Sequence, residues 1–248
     1  MHHTAVADHF SDVAARYAAY RPTYPPALVD FLREVTRGDT AWDAGCGNGQ
    51  LTLALVEKFE RVIGTDLAAA QLAEAAAHPR IEYRVATAED SEIGSGTIDL
   101  AVAAQAAHWF DWPRFAAEVT RVTHPGSTLA LIGYRNPELD GEVGVVVTEF
   151  IETIAGPYWP AGRVHINNGY RDLILPGTPI ETPAIEMAVA WTREELLGYA
   201  SSWSATNRLH KARGSANFEA FCARIAARWP ADERRRVRWP VILKVVIV

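Results

Sequence analysis

From Thr40 onward the chain alternates short apolar runs with longer segments whose apolar residues recur at helical spacing. Short runs bounded by Gly, Asp or Asn read as buried strands, and the segments between them as amphipathic helices. The pattern predicts strands at Thr40–Ala44, Arg61–Thr65, Ile81–Val85, Ile98–Ala103 and Ser127–Tyr134. Helices are expected near Gly49–Phe59, Ala68–Ala77 and Trp112–Val122, with a short turn about Ile93. Strands alternating with helices build a mostly parallel sheet covered on both faces, so the fold class expected is doubly wound, Rossmann-like α/β.

The rhythm differs at both ends. Phe10, Val13, Ala14 and Tyr17 share one helical face before the stretch Arg21-Pro22-Thr23-Tyr24-Pro25-Pro26, which cannot continue a helix. A second helix is expected at Pro26–Val35. Beyond Asn136, a helix near Val143–Ile154 runs into a Pro- and Gly-rich stretch, 156–183, that is longer than an idle connection. A strand at Ile185–Trp191, helices at Thr192–Trp203 and Asn217–Trp229, and a last strand at Val237–Val248 follow. The organisation expected is an N-terminal helical lid (1–36), a nucleoside-binding core (37–136), and a cap with the closing strands of the same seven-stranded sheet (137–248).

Composition narrows the function. The 248 residues are 49% hydrophobic and 22% charged with a formal net charge of -6, ordinary for a globular domain. No global positive field favours nucleic acid or an anionic bilayer. Two cysteines, Cys46 and Cys222, offer no disulfide framework, and the N-terminus lacks the basic start and apolar core of a signal peptide, so a cytoplasmic protein is expected. The eight histidines show no ligand spacing, so no metal site is expected. Glu233-Arg234-Arg235-Arg236 reads as a solvated helix end.

The chemistry concentrates at three successive strand ends. Asp43-Ala44-Gly45-Cys46-Gly47-Asn48-Gly49 closes the first strand and opens a helix, where an open α/β sheet binds its ligands. Its Gly-x-Gly-x-Gly spacing differs from the Gly-x-Gly-x-x-Gly of dinucleotide sites, and no Lys-Ser/Thr pair follows as in a P-loop. Asp66 ends the second strand, where a carboxylate can accept both ribose hydroxyls. Ala88-Glu89 follows the third, where a short loop can pack on adenine.

This order of motifs resembles the nucleoside site of class I S-adenosylmethionine-dependent methyltransferases over about residues 10–135. Tyr17-Ala-Ala-Tyr20-Arg21-Pro-Thr-Tyr24-Pro25 and Ala104-Gln105-Ala106-Ala107-His108-Trp109-Phe110 resemble the trans-aconitate methyltransferase-like (methyltransferase type 11) branch. The resemblance implies S-adenosylmethionine as cofactor and S-adenosylhomocysteine as product. It implies Asp43, Gly45, Cys46 and Gly47 along the methionine part, Asp66 on the ribose, Leu67, Gln71, Ala88 and Glu89 around the adenine, and Gln105 and Ala106 near the sulfonium. Tyr17 and Arg21 would close over the site, Arg21 pairing the cofactor carboxylate.

The acceptor expected is a small molecule, with a carboxylate favoured and a hydroxyl or ring nitrogen as alternatives. His108 is the candidate base if the acceptor carries a proton. Trp109, Tyr134, Trp159, Arg163, His165 and Tyr170 are the expected acceptor contacts. A cofactor-binding protein without turnover is the rival from another class, and a nicotinamide-dependent oxidoreductase is opposed by the glycine spacing.

Overall fold

A computed structural model describes residues 21–248. The elements are helix α1 (Pro26–Val35), β1 (Thr40–Ala44), α2 (Gln50–Leu55), β2 (Arg61–Asp66), α3 (Ala69–Ala73), β3 (Ile81–Val85), β4 (Ile98–Ala104), α4 (Trp112–Val122) and β5 (Thr123–Tyr134). They continue with α5 (Gly141–Glu149), α6 (Arg163–Asn167), β6 (Thr178–Pro179), β7 (Glu186–Trp191), α7 (Arg193–Ser201), α8 (Ser204–Arg213), α9 (Ala216–Ala226) and β8 (Arg235–Ile247).

Strands β1 to β5 pair in parallel in the order β3-β2-β1-β4-β5, and β8 closes the sheet antiparallel to β5. The doubly wound class expected from the alternation is therefore the one observed. Among the described residues the sheet has eight strands rather than seven, because the two-residue β6 adds to the outer side of β8. Sequence order reverses between β1 and β4, which opens a crevice above the end of β1.

The core strands are apolar on both sides because helices cover both. On one face, Leu28 and Leu32 of α1 and Leu51 and Leu55 of α2 pack under Val62, Leu100 and Ile132. On the other, Phe115, Val119 and Val122 of α4 meet Trp42, Ile63 and Leu129. Pro113 sits in the first turn of α4, and the side chain of Asp111 accepts the Arg114 amide at 3.4 Å to cap it. Helix α1 thus belongs to the covering layer of the sheet, while Arg21 and Tyr24, just before it, line the crevice described below. The remainder of the segment expected as a lid, including Tyr17, lies outside the described residues.

The cap has its own core. Phe150 stacks on Phe221 with ring centroids 4.2 Å apart, and beside them Trp191, Tyr199, Trp203 and Trp239 pack edge-on against one another. Helix α7 starts at a reciprocal capping box, in which Thr192 and Glu195 satisfy each other's backbone amides. Strand β8 serves both units. Arg235–Pro240 pairs with β7 in the cap, and Val241–Ile247 pairs with β5 in the sheet.

The arginine run does not end a helix. Arg235 opens β8, and Arg234 and Arg235 pair with Glu195 at 3.1 Å and Glu233 at 2.9 Å. Among the described residues, no helix is long and apolar enough to cross a membrane.

Candidate functional site

The glycine loop lies at the point where strand order reverses. Gly45, Gly47 and Gly49 all adopt left-handed φ, at +69°, +58° and +81°, a region other residues avoid. At Gly45 a side chain also has no room, since a Cβ would fall 2.7 Å from the Cβ of Ala106. The amides of Gly45 and Cys46 both donate to the Thr65 carbonyl, at 2.8 and 3.0 Å, which fixes the loop to the end of β2.

Two carboxylates stand beside this loop. Asp66 accepts the Gly47 amide on Oδ2 and the Ala68 amide on Oδ1, each at 2.8 Å, so it ties the loop to the start of α3. Asp43 is fully buried, accepts the Thr52 hydroxyl at 2.7 Å on Oδ2, and has no partner for Oδ1 among the described residues. Burial, opposed by the Thr52 hydrogen bond and assisted by the Asp66 charge, pushes Asp43 up to about 7. Burial raises Asp66 too, and it keeps the Cys46 thiol protonated.

Around the crevice, Leu67, Ala68 and the buried Gln71 form one wall and Ala88 and Glu89 another. Glu89 accepts the Asp111 amide at 2.8 Å, so the loop after β3 is pinned to the residue that caps α4. At the end of β4, Gln105 holds a left-handed φ of +52°, and its side-chain amide donates to the Tyr134 carbonyl at 3.0 Å. A non-glycine residue in that region costs about 1–2 kcal/mol, and here the bend turns the chain into the tight helical turn Ala107–Trp109.

These residues enclose a cavity of about 790 Å³, and a smaller compartment of about 80 Å³ lies beside it under the cap. Arg21, Gln105, His108, Trp109 and Tyr134 line both spaces and form the wall between them. Arg21 donates to the Tyr134 hydroxyl at 2.9 Å across that wall. Pro160, Ala161 and Gly162 of the cap border the large cavity.

The small compartment is electropositive. Arg163 lies over the ring of Trp159 at 4.3 Å and donates to the side chains of Asn136 and Asn167. No carboxylate lies within ion-pair distance of it among the described residues. Burial and the nearby Arg21 pull the Arg163 pKa below its usual value. His108 is pushed down to about 3, by burial first and then by Arg163, His165 and Arg21, and its Nδ1 has no partner among the described residues. A neutral imidazole with so acidic a conjugate acid is a poor proton acceptor.

Most residues expected at the site line these two spaces. Two do not. Tyr170 is fully buried, packs on Gly133 and joins the core between the sheet and α4; His165 pairs with Asp172 at 2.6 Å on the outer side. Both were expected as acceptor contacts because they share a polar-aromatic stretch with Trp159 and Arg163, but the five-residue α6 turns alternate side chains away from the cavity. Sequence reasoning missed Tyr24, Gly162 and Tyr199. Tyr24 was legible in the Arg21–Pro26 elbow, whereas Tyr199 reaches the compartment from the second half of the cap, with no local motif to mark it.

The methyltransferase-domain family matches residues 42–131. A methyltransferase from Dictyostelium discoideum is 31% identical over 202 residues, covering 79% of this chain and 77% of that one. The chain belongs to the class I S-adenosylmethionine-dependent methyltransferases. A type II methyltransferase structure from Anaeromyxobacter dehalogenans superposes on this methyltransferase with a TM-score of 0.85 at 38% identity, over 92% of this chain and 98% of that one. An S-adenosylmethionine-dependent methyltransferase of Saccharomyces cerevisiae is 30% identical over 135 residues, which are 50% of this chain and 46% of the yeast protein. The methyltransferase uses S-adenosylmethionine as its methyl donor. Its crevice suits that cofactor, because a fully buried Asp43 oxygen without a partner, beside a second carboxylate, favours a ligand carrying positive charge.

Proposed function

We propose that this methyltransferase transfers the cofactor's methyl group to a small-molecule acceptor, with a carboxylate oxygen favoured and a methyl ester as product. The observation that carries this reading is the wall of five side chains shared by the large cavity and the electropositive compartment. A cofactor in the first and an acceptor in the second would meet there.

The cofactor's sulfonium supplies an activated methyl and a good leaving group. The protein's own part is binding, alignment and exclusion of water. Asp66 is suited to ribose hydroxyls, since each of its oxygens keeps a lone pair after accepting one backbone amide. Gly45, Cys46 and Gly47 offer a close backbone surface to the methionine part, Leu67, Gln71, Ala88 and Glu89 enclose the adenine, and Gln105 and Ala106 border the reacting centre. Asp43 favours the cofactor's positive charge, and Arg21 its carboxylate. The cap, from residue 137 on, supplies the acceptor's enclosure; Tyr17 lies outside the described residues.

A carboxylate acceptor needs no base, since its oxygen attacks already deprotonated. A neutral His108 is compatible with that chemistry and unsuited to deprotonating a hydroxyl. The trans-aconitate methyltransferase-like resemblance of the Gln105–Phe110 segment leads to the same acceptor class. Incubation with methyl-labelled cofactor and a panel of small acids, phenols and heteroaromatics tests the reading. Base-labile label on acids is the expected result; stable label on phenols or ring nitrogens alone would replace the carboxylate with those acceptors. Cofactor binding without transfer to any of the panel would favour a protein that binds the cofactor without turnover.

A further inference from the structure

We propose that Arg163 is the specificity-determining residue of an anion subsite, which receives a carboxylate of the acceptor in the compartment under the cap. This rests on the acceptor reading above. Four observations converge on it.

The first is the charge balance. Arg163 is half-buried, yet no carboxylate of the described residues lies within ion-pair distance of it. Buried charges are ordinarily paired, and a guanidinium left without a counter-charge is stabilised by an incoming anion.

The second is preorganisation. The indole of Trp159 lies under the guanidinium plane, and the side-chain oxygens of Asn136 and Asn167 receive two of its N–H groups. Neither amide supplies charge. The fork is therefore oriented without being neutralised, which leaves donors for a planar oxyanion.

The third is the company it keeps. His108 is neutral and cannot act as a competing cation, and the buried Tyr199 helps to line the compartment. Arg21, which also lines this compartment, reinforces its positive potential.

The fourth is size. A compartment of about 80 Å³ holds a carboxylate with its nearest carbons and little more. Arg163 lines only the smaller space, whereas Arg21 lines both, so the two guanidiniums divide the work: Arg21 on the cofactor side, Arg163 on the acceptor side.

The probes are acetate and phenylacetate, with acetamide and phenylacetamide as neutral counterparts, titrated calorimetrically into the full chain saturated with S-adenosylhomocysteine. The carboxylates are expected to bind at least tenfold more tightly than the amides. In Arg163→Gln that preference should fall to within about twofold, while affinity for S-adenosylhomocysteine stays within twofold of the parent and so reports an intact fold. Arg163→Lys, which restores a point charge without the fork, should recover part of the preference. Equal binding of acid and amide to the parent chain, or an undiminished preference in Arg163→Gln, would overturn the proposal. Inorganic phosphate binding more tightly than either carboxylate would also overturn it, marking the compartment as a site for free inorganic anions. Should the parent chain fail to bind S-adenosylhomocysteine, the cofactor assignments fall instead, and the same titrations without it still decide the role of Arg163.

Discussion

Gly162 of the cap lies directly against the backbone of His108: a Cβ on Gly162 would fall 2.2 Å from the His108 carbonyl oxygen. Both partners at that contact are backbone, so neither can yield as a flexible side chain would. The cap is thereby seated on the turn that follows β4, at the wall between the two compartments.

Gly162→Ala should therefore lift the cap locally. Overpacking of this kind costs about 1–3 kcal/mol. We expect S-adenosylhomocysteine affinity within about threefold of the parent and methyl transfer reduced at least tenfold, measured by calorimetry and by labelled turnover on an identified acceptor. Unchanged turnover would show that the contact does not set the compartment's shape.

Asp66 is the second test. Its two oxygens hold the glycine loop and the start of α3 through the Gly47 and Ala68 amides. Asp66→Asn keeps the size but replaces one acceptor with a donor that would face a backbone amide. S-adenosylhomocysteine should bind at least thirtyfold more weakly by calorimetry. Parent-like affinity would remove Asp66 from the nucleoside site.

Asp43 makes the stability of the ligand-free protein depend on pH. Its folded pKa of about 7 lies above the unfolded value of about 3.9. The folded state therefore holds the extra proton between those values, and the stabilisation present below about pH 4 declines as pH rises to about 7 and is flat above it. Asp43→Asn should raise the ligand-free Tm at pH 8 by on the order of 5 °C, with the gain shrinking toward pH 5. A pH-independent difference in Tm between the two proteins would refute the linkage.

His108 gives a kinetic test. With a conjugate acid near 3 it stays neutral across the working range, so it contributes no ionisation to kcat/KM between pH 6 and 9. His108→Gln should lower turnover by less than about tenfold and leave the shape of the pH profile as in the parent. Loss of a limb of that profile in the variant would restore His108 as the base.

Much of the core was legible because its signals are local. Trp42 pairs with Ile63 and Ala101 in a parallel register, and the apolar runs that contain them announce buried strands whatever the rest of the chain does. The glycine loop likewise carries its own spacing. Helix α8 was missed for the opposite reason. Its buried positions are Ala205, Thr206 and Leu209, and only the last is a large apolar side chain, so they write almost no apolar stripe, and the helix depends on the cap core for its place. Arg163 and Tyr170 show the same limit within the site. Both stand in one aromatic-polar stretch, yet one faces the compartment and the other supports Gly133 from beneath. Only the short turn of α6 between them separates the roles.

Strand β8 changes partners at Pro240, with the cap strand β7 before it and the sheet strand β5 after it. A proline there gives up a ladder donor where the strand passes from one neighbour to the next. The cap and the parallel sheet consequently share one continuous stave. A transplant of a related cap, undertaken to change acceptor preference, would have to bring Arg235–Pro240 with it. A graft that ended with the last cap helix, before Arg235, would lack the strand that pairs with β7.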